Sequence, residues 1–464
     1  MKITKLYIDG YKNVVDTSLD FSLGPIIILL APNNYGKSNL LSGIRDGFKF
    51  LRKNGTVAVK YVQGKSYVNY NRNKDHQRFT FEVEFEKRRD AGKCYRYRFV
   101  LDPTETDHSV KYLDKYPRFD YSYYTSDVAG IVEEELVLIE GSNKRVLFER
   151  DTNDPNIAYL GEDKANPYVI NSADTDVKGG YPHTFYLFLH RFGNMALAKN
   201  ADDKECNLLL DEIHGVLTSL TRESIGMVLA GEDDEFRAPA LLVQDVRKMH
   251  DAEYTFLIGR FIHMFHQYES VRFERLGTSG QLQCLLKRKS DDREETTSTL
   301  SYGTRRVLKL LSQVFANTVP LISIEELESG LHPTLYRDVL NSFLNCLDIE
   351  AYNKRNMSIP EKDHRRNDPK VIISSHAPGM INEFDDHLGA VYIGRASKGQ
   401  LGLAQFSRLN PEGIKGVEDM RREFKGMLGV GDIIFQLFFD EYAKLKIEEE
   451  WLDFSDSHKG GVSE

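Results

Sequence analysis

The sequence predicts an α/β protein with a mixed or parallel sheet under covering helices, and with a β-rich and helical module inserted into it. Three observations predict this. Residues Pro25 to Leu30 form a continuous apolar run, the mark of a strand buried on both faces, and a loop and a helix follow it. From residue 304 onward helix and buried strand alternate, over 304–317, 320–325, 333–347 and 370–375, which is the pattern of parallel strands joined by helices. Between these parts, Phe79, Phe81, Val83 and Phe85 alternate with polar residues, as do Tyr95, Tyr97 and Phe99, and such period-two runs are half-buried strands.

Taken in order, Ile3 to Ile8 alternates as a strand, and Thr17 to Phe21 is a short second one. The helix after Lys37 begins at Ser38 and carries Leu40, Leu41, Ile44 and Phe48 at helical spacing. Leu136 to Glu140 and Arg145 to Phe148 flank Gly141-Ser142-Asn143 as a hairpin. Residues 151–180 are rich in Asn, Asp, Gly and Pro and read as loop. Residues 205–270 read as mostly helical, with Leu208, Leu209, Ile213, Leu217 and Leu220 on one face and no sustained heptad. A polar segment covers 352–370, and a last helix over about 431–449 ends in a polar tail. The expected organisation is therefore one domain made of 1–55 and 290–430, an insertion over 56–289, and a C-terminal helix and tail over 431–464.

The chain has 464 residues, 41% hydrophobic and 28% charged, with a net charge of −9. That balance argues against binding nucleic acid over the whole surface. It leaves local basic groups as contact candidates: Arg305 and Arg306, Lys287-Arg288-Lys289, and the 352–370 segment with Lys354, Arg355, Lys362, Arg365 and Arg366. The apolar run Ile26 to Ala31 is far short of the roughly 20 residues of a spanning helix, and the first residues lack a signal-peptide core. Cys94, Cys206, Cys284 and Cys346 have neither metal-ligand spacing nor a disulfide pattern. The expectation is a cytoplasmic protein with no membrane contact.

Four strings carry chemistry. APNNYGKS, Ala31 to Ser38, follows the buried strand and opens a helix. In such a loop successive backbone N–H groups wrap phosphates, a lysine reaches the terminal oxygens, and a hydroxyl holds Mg²⁺. Asn33, Asn34, Tyr35, Gly36, Lys37, Ser38 and Asn39 are the binding candidates, and Ala31 stands where the motif usually has its first glycine. LISIEELESGLHP, Leu321 to Pro333, is a buried strand that ends abruptly at Glu325-Glu326, delivering two carboxylates to the sheet edge where open α/β proteins place ligands. Glu325 is the candidate metal ligand and Glu326 the candidate base for an attacking water. Glu328, just before the 333–347 helix, is expected only to favour that helix N-terminus by charge. LSYG, Leu300 to Gly303, sets Ser301 and Gly303 before a helix, as in an anion site. His376 ends the strand VIISS at the same kind of edge and is the candidate partner of a terminal phosphate or the lytic water.

The order APNNYGKS, LSYGTRR, ISIEELESGLHP and IISSHAP resembles the ATP-binding-cassette heads of the SMC, RecF and OLD-like ATPases. It is most similar to the compact bacterial branch whose acidic strand reads Ile-Glu-Glu-x-Glu-x-x-Leu-His-Pro, and IDGYKN near Tyr11 resembles that family's opening strand-turn. The similarity is specific over about 1–50 and 298–395. The family's usual glutamine has no matching position at Gln63 or Gln77. The resemblance implies ATP and Mg²⁺ as cofactors, ATP hydrolysis, and a homodimer or higher even-numbered oligomer. In it Lys37 and Ser38 of one copy meet Ser301 and Gly303 of another across ATP. Members of the branch, such as the Septu and PARIS ATPases, serve in antiviral defence beside a separate toxic nuclease, which implies an ATPase subunit controlling an effector protein. The alternative is a RecF- or SMC-like clamp that closes on DNA in repair. A third reading is a self-contained nuclease in which Glu140-Gly141 and Asp174-x-Asp176 mimic Toprim acids, whereas the hairpin and loop contexts of those residues point to ordinary turns.

Overall fold

The computed structural model describes residues 1–31, 35–52, 61–62, 65–66, 78–87, 92–103, 129–153, 157–161, 163–169, 185, 204–222, 225–228, 251–276, 281–290, 293–296, 299–316, 319–347, 368–377, 390–396 and 403–408. The chain forms two compact units. One comprises Met1–Ser22, Asn33–Ser224 and Gly394–Ser407, the other Leu23–Pro32, Ile225–Ile393 and Arg408–Glu464. The fold is mixed α/β, with one antiparallel and one parallel sheet as its main layers.

In the first unit eight strands lie side by side in the order Asp163–Val169, Ile157–Leu160, Asn143–Arg150, Ala129–Glu140, Cys94–Pro103, Phe79–Glu86, Lys2–Asp9 and Thr17–Asp20. Every neighbouring pair is antiparallel. The alternation of Phe79, Phe81, Val83 and Phe85 puts these side chains on the buried face, as period two requires. The helix Lys37–Arg52 packs there through Phe48 on Phe81 (ring centroids 5.3 Å apart) and Phe50 on Phe99 (4.8 Å). Residues 404–406 join the same unit. Ala404 N–H donates to the Asn13 carbonyl at 2.6 Å, Val15 N–H donates to the Ala404 carbonyl at 3.0 Å, and Phe406 N–H donates to Thr17 Oγ1 at 3.2 Å.

A buried acid lies inside this sheet. Glu134 accepts from Arg150 at 2.6 Å, from the Tyr97 hydroxyl at 2.6 Å and from the Phe185 N–H at 3.0 Å. Both ionic side chains are fully buried, and the added hydrogen bonds offset the desolvation such a pair incurs. Burial, and next the Glu134 charge, hold the Tyr97 phenol well above its usual range.

In the second unit the strands Ile225–Val228, Leu321–Ile324, Lys370–Ser375, Ile26–Leu30 and Val391–Ala396 run parallel in that order. Strands 26–30, 321–324 and 370–375 are buried at every residue, which suits their mostly apolar sequences, with Ser323, Lys370, Ser374 and Ser375 the polar exceptions. The helices Asp251–Met264, Tyr302–Ala316 and Pro333–Leu347 share one core with them. On Tyr302–Ala316 the buried Val307, Leu310, Leu311 and Val314 recur at helical spacing and form its apolar stripe. Tyr268–Leu276, Gln281–Arg288 and Glu294–Thr296 make a separate antiparallel sheet.

Two expectations are corrected. Residues 157–160 and 163–169, read as loop, are strands, because Ala158 and Leu160 alternate into the interior while the backbone pairs with the edge at 148–150. The 205–270 stretch is helical only over Lys204–Arg222 and Asp251–Met264 among its described residues. Ile225–Val228 is a parallel strand on Leu321–Ile324, and Tyr268–Leu276 is also a strand. The 431–449 helix and the basic residues of 354–366 lie outside the described residues. Among the described residues no helix is long and apolar enough to cross a membrane.

Candidate functional site

The two groups of motif residues fall in different units, and each has its own means of support. In the first unit, Gly36 precedes the helix Lys37–Arg52 with φ of 82°, a left-handed conformation that glycine adopts without strain. Its carbonyl starts the helix by accepting from Leu40 N–H at 2.8 Å. A Cβ on Gly36 would stand 3.0 Å from Asn13 Oδ1 and 3.1 Å from Ala404 Cβ. The same Asn13 oxygen accepts from Asn39 Nδ2 at 2.7 Å, which anchors the Asn39 side of the turn and places the Asn13 amide over Gly36, where a side chain would otherwise go. Asn13 was not among the residues singled out from sequence, although it ends the IDGYKN string. Behind it, the Tyr11 hydroxyl donates to Asp46 on the helix, and burial followed by the Asp46 charge raises the Tyr11 phenol.

Lys37 is buried at 7% exposure, and Ser38 is exposed. The first turn carries no acid, which leaves the positive end of a 16-residue helix available to an anion. Lysine, hydroxyl and helix N-terminus are the donor set a Mg²⁺-bound polyphosphate needs. Tyr35 is exposed at 37%, and Asn33 and Asn34 lie outside the described residues.

The second unit gathers Ser301, Gly303, Glu325, Glu326 and His376. Ser301 caps the helix Tyr302–Ala316. Its Oγ accepts from Thr304 N–H at 3.3 Å and contacts Thr304 Oγ1 at 2.8 Å, satisfying a helix-end donor that otherwise lacks a partner. Gly303 is required by space: a Cβ there would lie 2.3 Å from the Gly330 carbonyl oxygen. Gly330, with φ of 71°, has the Tyr302 ring 2.2 Å from where its own Cβ would be. The turn after the acidic strand is therefore seated directly on the first turn of the signature helix.

Arg306 adds a second link. It is 4% exposed, and its Nη2 donates to the carbonyls of Glu325 at 2.6 Å and Glu326 at 2.8 Å. Its Nη1 donates to the Tyr302 hydroxyl at 3.1 Å. Expected to form part of a basic surface, Arg306 is instead an internal clamp, and no nucleic-acid phosphate can reach a guanidinium so buried. Lys287 and Arg288 pair with Glu269 at 3.3 Å and Glu295 at 2.7 Å, which balances their charge on the small sheet.

Glu326 has φ of 47°, a conformation that costs an L-residue about 1–2 kcal/mol. The surroundings enforce it. Its N–H donates to Ser374 Oγ at 3.2 Å, and its carbonyl accepts from Ser329 N–H at 2.8 Å as well as from Arg306. Enforced strain of this kind concentrates at functional sites. The Glu326 side chain keeps 36% exposure, so the carboxylate has access to water. His376 Nδ1 lies 3.8 Å from Glu326 Oε1 and 3.2 Å from Glu328 Oε1. Glu328, expected to act only as a helix-end charge, has a side chain just 9% exposed, and its Oε1 accepts the His376 main-chain N–H at 2.8 Å. Burial, and next the Glu328 carboxylate, raise the Tyr336 phenol.

Residues 247–382, which hold all five of these motif residues, match the family model described as "AAA domain, putative AbiEii toxin, Type IV TA system". The similarity is to an AAA domain and is confined to that stretch of the chain. Among solved structures, the chain is similar to an SMC head domain from Thermotoga maritima at 12% identity, with 88% of this chain and 100% of that one covered and a TM-score of 0.38. It is also similar to an SmcHead bound to the C-winged helix domain of ScpA, at 13% identity, 89% and 99% coverage and a TM-score of 0.45. A third is an Smc head domain with an extended coiled coil, bound to the C-terminal domain of ScpA derived from Pyrococcus furiosus, at 11% identity, 91% and 99% coverage and a TM-score of 0.37. No curated protein matches the chain.

Of the Toprim-like acids, Glu140 alone lies among the described residues. Glu140 ends a strand at a hairpin, paired with Asn143 and exposed, with Lys93 Nζ at 3.9 Å. Asp174 and Asp176 lie outside the described residues.

Proposed function

We propose that this chain hydrolyses ATP to ADP and phosphate at sites shared by two copies, and that the resulting cycle controls a separate effector protein, a nuclease, in defence against phage. The observation that carries the reading is the Arg306 clamp. It ties the helix bearing Ser301 and Gly303 to the backbone of Glu325 and Glu326, so a ligand moving the signature turn also moves the acids. The AAA-domain match over the same residues supports it, and that family's description in terms of a toxin system fits a chain working opposite a second protein.

In this reading residues 1–55 and 290–430 form the ATPase head and 56–289 the docking module. Lys37 and the helix N-terminus hold phosphate oxygens, with Asn33, Asn34, Tyr35, Gly36 and Asn39 shaping the loop. Ser38 offers its hydroxyl and Glu325 its carboxylate to Mg²⁺, which when bound neutralises charge building on the phosphates. Glu326 takes the proton of the attacking water, and His376 orients the water or the terminal phosphate. Ser301 and Gly303 serve the nucleotide of the opposite copy.

Glu326→Gln should retain ATP and slow its hydrolysis by about 10²-fold or more, as for loss of a general base. Lys37→Ala should weaken nucleotide binding through loss of a charge-assisted contact. Mixing Lys37→Ala with Ser301→Arg subunits tests the shared site, because such a mixture can leave at most one of two composite sites intact. Full activity from Ser301→Arg alone would remove the two-copy model. Co-purification of a nuclease whose activity follows the ATPase cycle supports the effector reading. ATP-dependent, salt-sensitive DNA binding without such a partner replaces it with the clamp.

A further inference from the structure

We propose that Glu328 is a positioning residue that holds the His376 imidazole by its Nδ1 side and so keeps it off the Glu326 carboxylate. The inference rests on the hydrolytic reading of Glu326 and His376 and assigns a role to a third acid.

Three observations carry it. Glu328 is 9% exposed, against 36% for Glu326 and 43% for His376, so it is no solvent-facing helix charge. Its Oε1 takes the His376 main-chain N–H at 2.8 Å and stands 3.2 Å from the ring Nδ1, so backbone and ring both face one oxygen. Its Oε2 is buried with no hydrogen-bond partner among the described residues, an arrangement that simple packing does not favour.

The chemistry follows from lone pairs. An unprotonated Nδ1 would oppose its lone pair to a carboxylate oxygen 3.2 Å away, so the neutral ring carries its proton on Nδ1 and its lone pair on Nε2. With that N–H nearer to Glu328 at 3.2 Å than to Glu326 at 3.8 Å, Glu326 is spared a competing donor and keeps its oxygens for water. Ser374 and Arg306 fix the Glu326 backbone, and Glu328 fixes the neighbouring ring, so base and imidazole are held by separate groups.

The test uses the full chain. Imidazole ¹⁵N spectra without nucleotide, with the His376 signals identified by H376A, should show an Nδ1–H ring in the wild type. E328A should move it toward the Nε2–H form, and E328Q, which keeps a carbonyl acceptor, should restore the Nδ1–H signature. With ATP, E328A should lower kcat by about 10- to 100-fold with KM little changed, the size of loss typical when an orienting partner of a histidine is removed. E328Q should recover most of the rate, and E328A/H376A should be no slower than H376A alone. Where E328A does not fold, E328M fills the same space without an acceptor and carries the same expectations. An unchanged ring tautomer in E328A, wild-type kcat in E328A, or losses that multiply in the double variant would each overturn the proposal. Wild-type hydrolysis by H376A would instead sink the hydrolytic reading of the histidine, with the spectra still deciding whether Glu328 holds the ring.

Discussion

Gly36 and Gly303 occupy look-alike places, each beside a serine at the start of a helix, and they are glycine for unlike reasons. Gly36 is there for its torsion: φ is 82°, and the nearest obstacles to a side chain are the Asn13 amide at 3.0 Å and a methyl group at 3.1 Å. Gly303 is there for space, since its helical backbone suits any residue but a peptide carbonyl sits 2.3 Å from a would-be Cβ. The serines differ in parallel. Ser38 lies inside its helix and is exposed, whereas the Ser301 hydroxyl is engaged as an N-cap. The Gly36 turn is thus kept open by backbone torsion, while the Ser301–Gly303 turn is locked by contact with the turn that follows the acids.

Substitutions at four positions, from the largest expected effect to the smallest, can break or sharpen that contrast. Arg306→Met should be the most damaging, costing about 3 kcal/mol, because buried carbonyls at 325 and 326 lose a charged donor. A denaturation midpoint near wild type would show the clamp to be dispensable. Gly303→Ala comes next at about 1–3 kcal/mol, the cost of forcing a methyl against rigid backbone, and hydrolysis should fall with it. Gly36→Ala should cost about 1–2 kcal/mol from its left-handed torsion, with nucleotide affinity falling further than the melting temperature suggests. If both glycine variants lost affinity and stability in the same proportion, the distinction between torsion and space would fail. Ser301→Ala should cost about 1 kcal/mol and Ser301→Gly only a few tenths, as for an N-cap; equal losses would mean the hydroxyl is not capping.

The parallel core was legible from sequence because burial on both faces leaves a plain signature. IIILL, LISI and KVIISS read as strands and are strands, and the 333–347 helix lies where its spacing placed it. Ile225–Val228 escaped notice because four residues carry no period, and only their partner at 321–324 makes them a strand. Strand 163–169 was hidden by its Asp, Asn and Pro, residues tolerated there at the outer edge of the sheet, and the short strand 157–160 by the Asn- and Asp-rich sequence around it. Among site residues, a motif that contacts a ligand can be read along the chain, but a residue that holds another cannot. Arg306 resembled a surface cation and Glu328 a helix-end charge, and their partners lie 19 to 48 positions away. Asn13 was unmarked for the same reason, being 26 residues from Asn39.

The seam between the first residues and residues 404–406 has a consequence for synthesis. Gln405 reaches Asp16, and Phe406 reaches Thr17, across 389 positions of sequence, and Ala404 fixes the backbone of the same Asn13 whose side chain braces Gly36. At about 5–20 residues per second, the opening strands leave the ribosome on the order of 20–80 seconds before that seam can close. Throughout that interval the nascent chain already carries Lys37 and Ser38 without the Ala404 hydrogen bond that seats Asn13. A chain released before residue 404 would keep every motif residue and still lack a properly seated Asn13. The seat of Asn13 is therefore completed only once residues 404–406 have been made, long after the first motif residues have emerged.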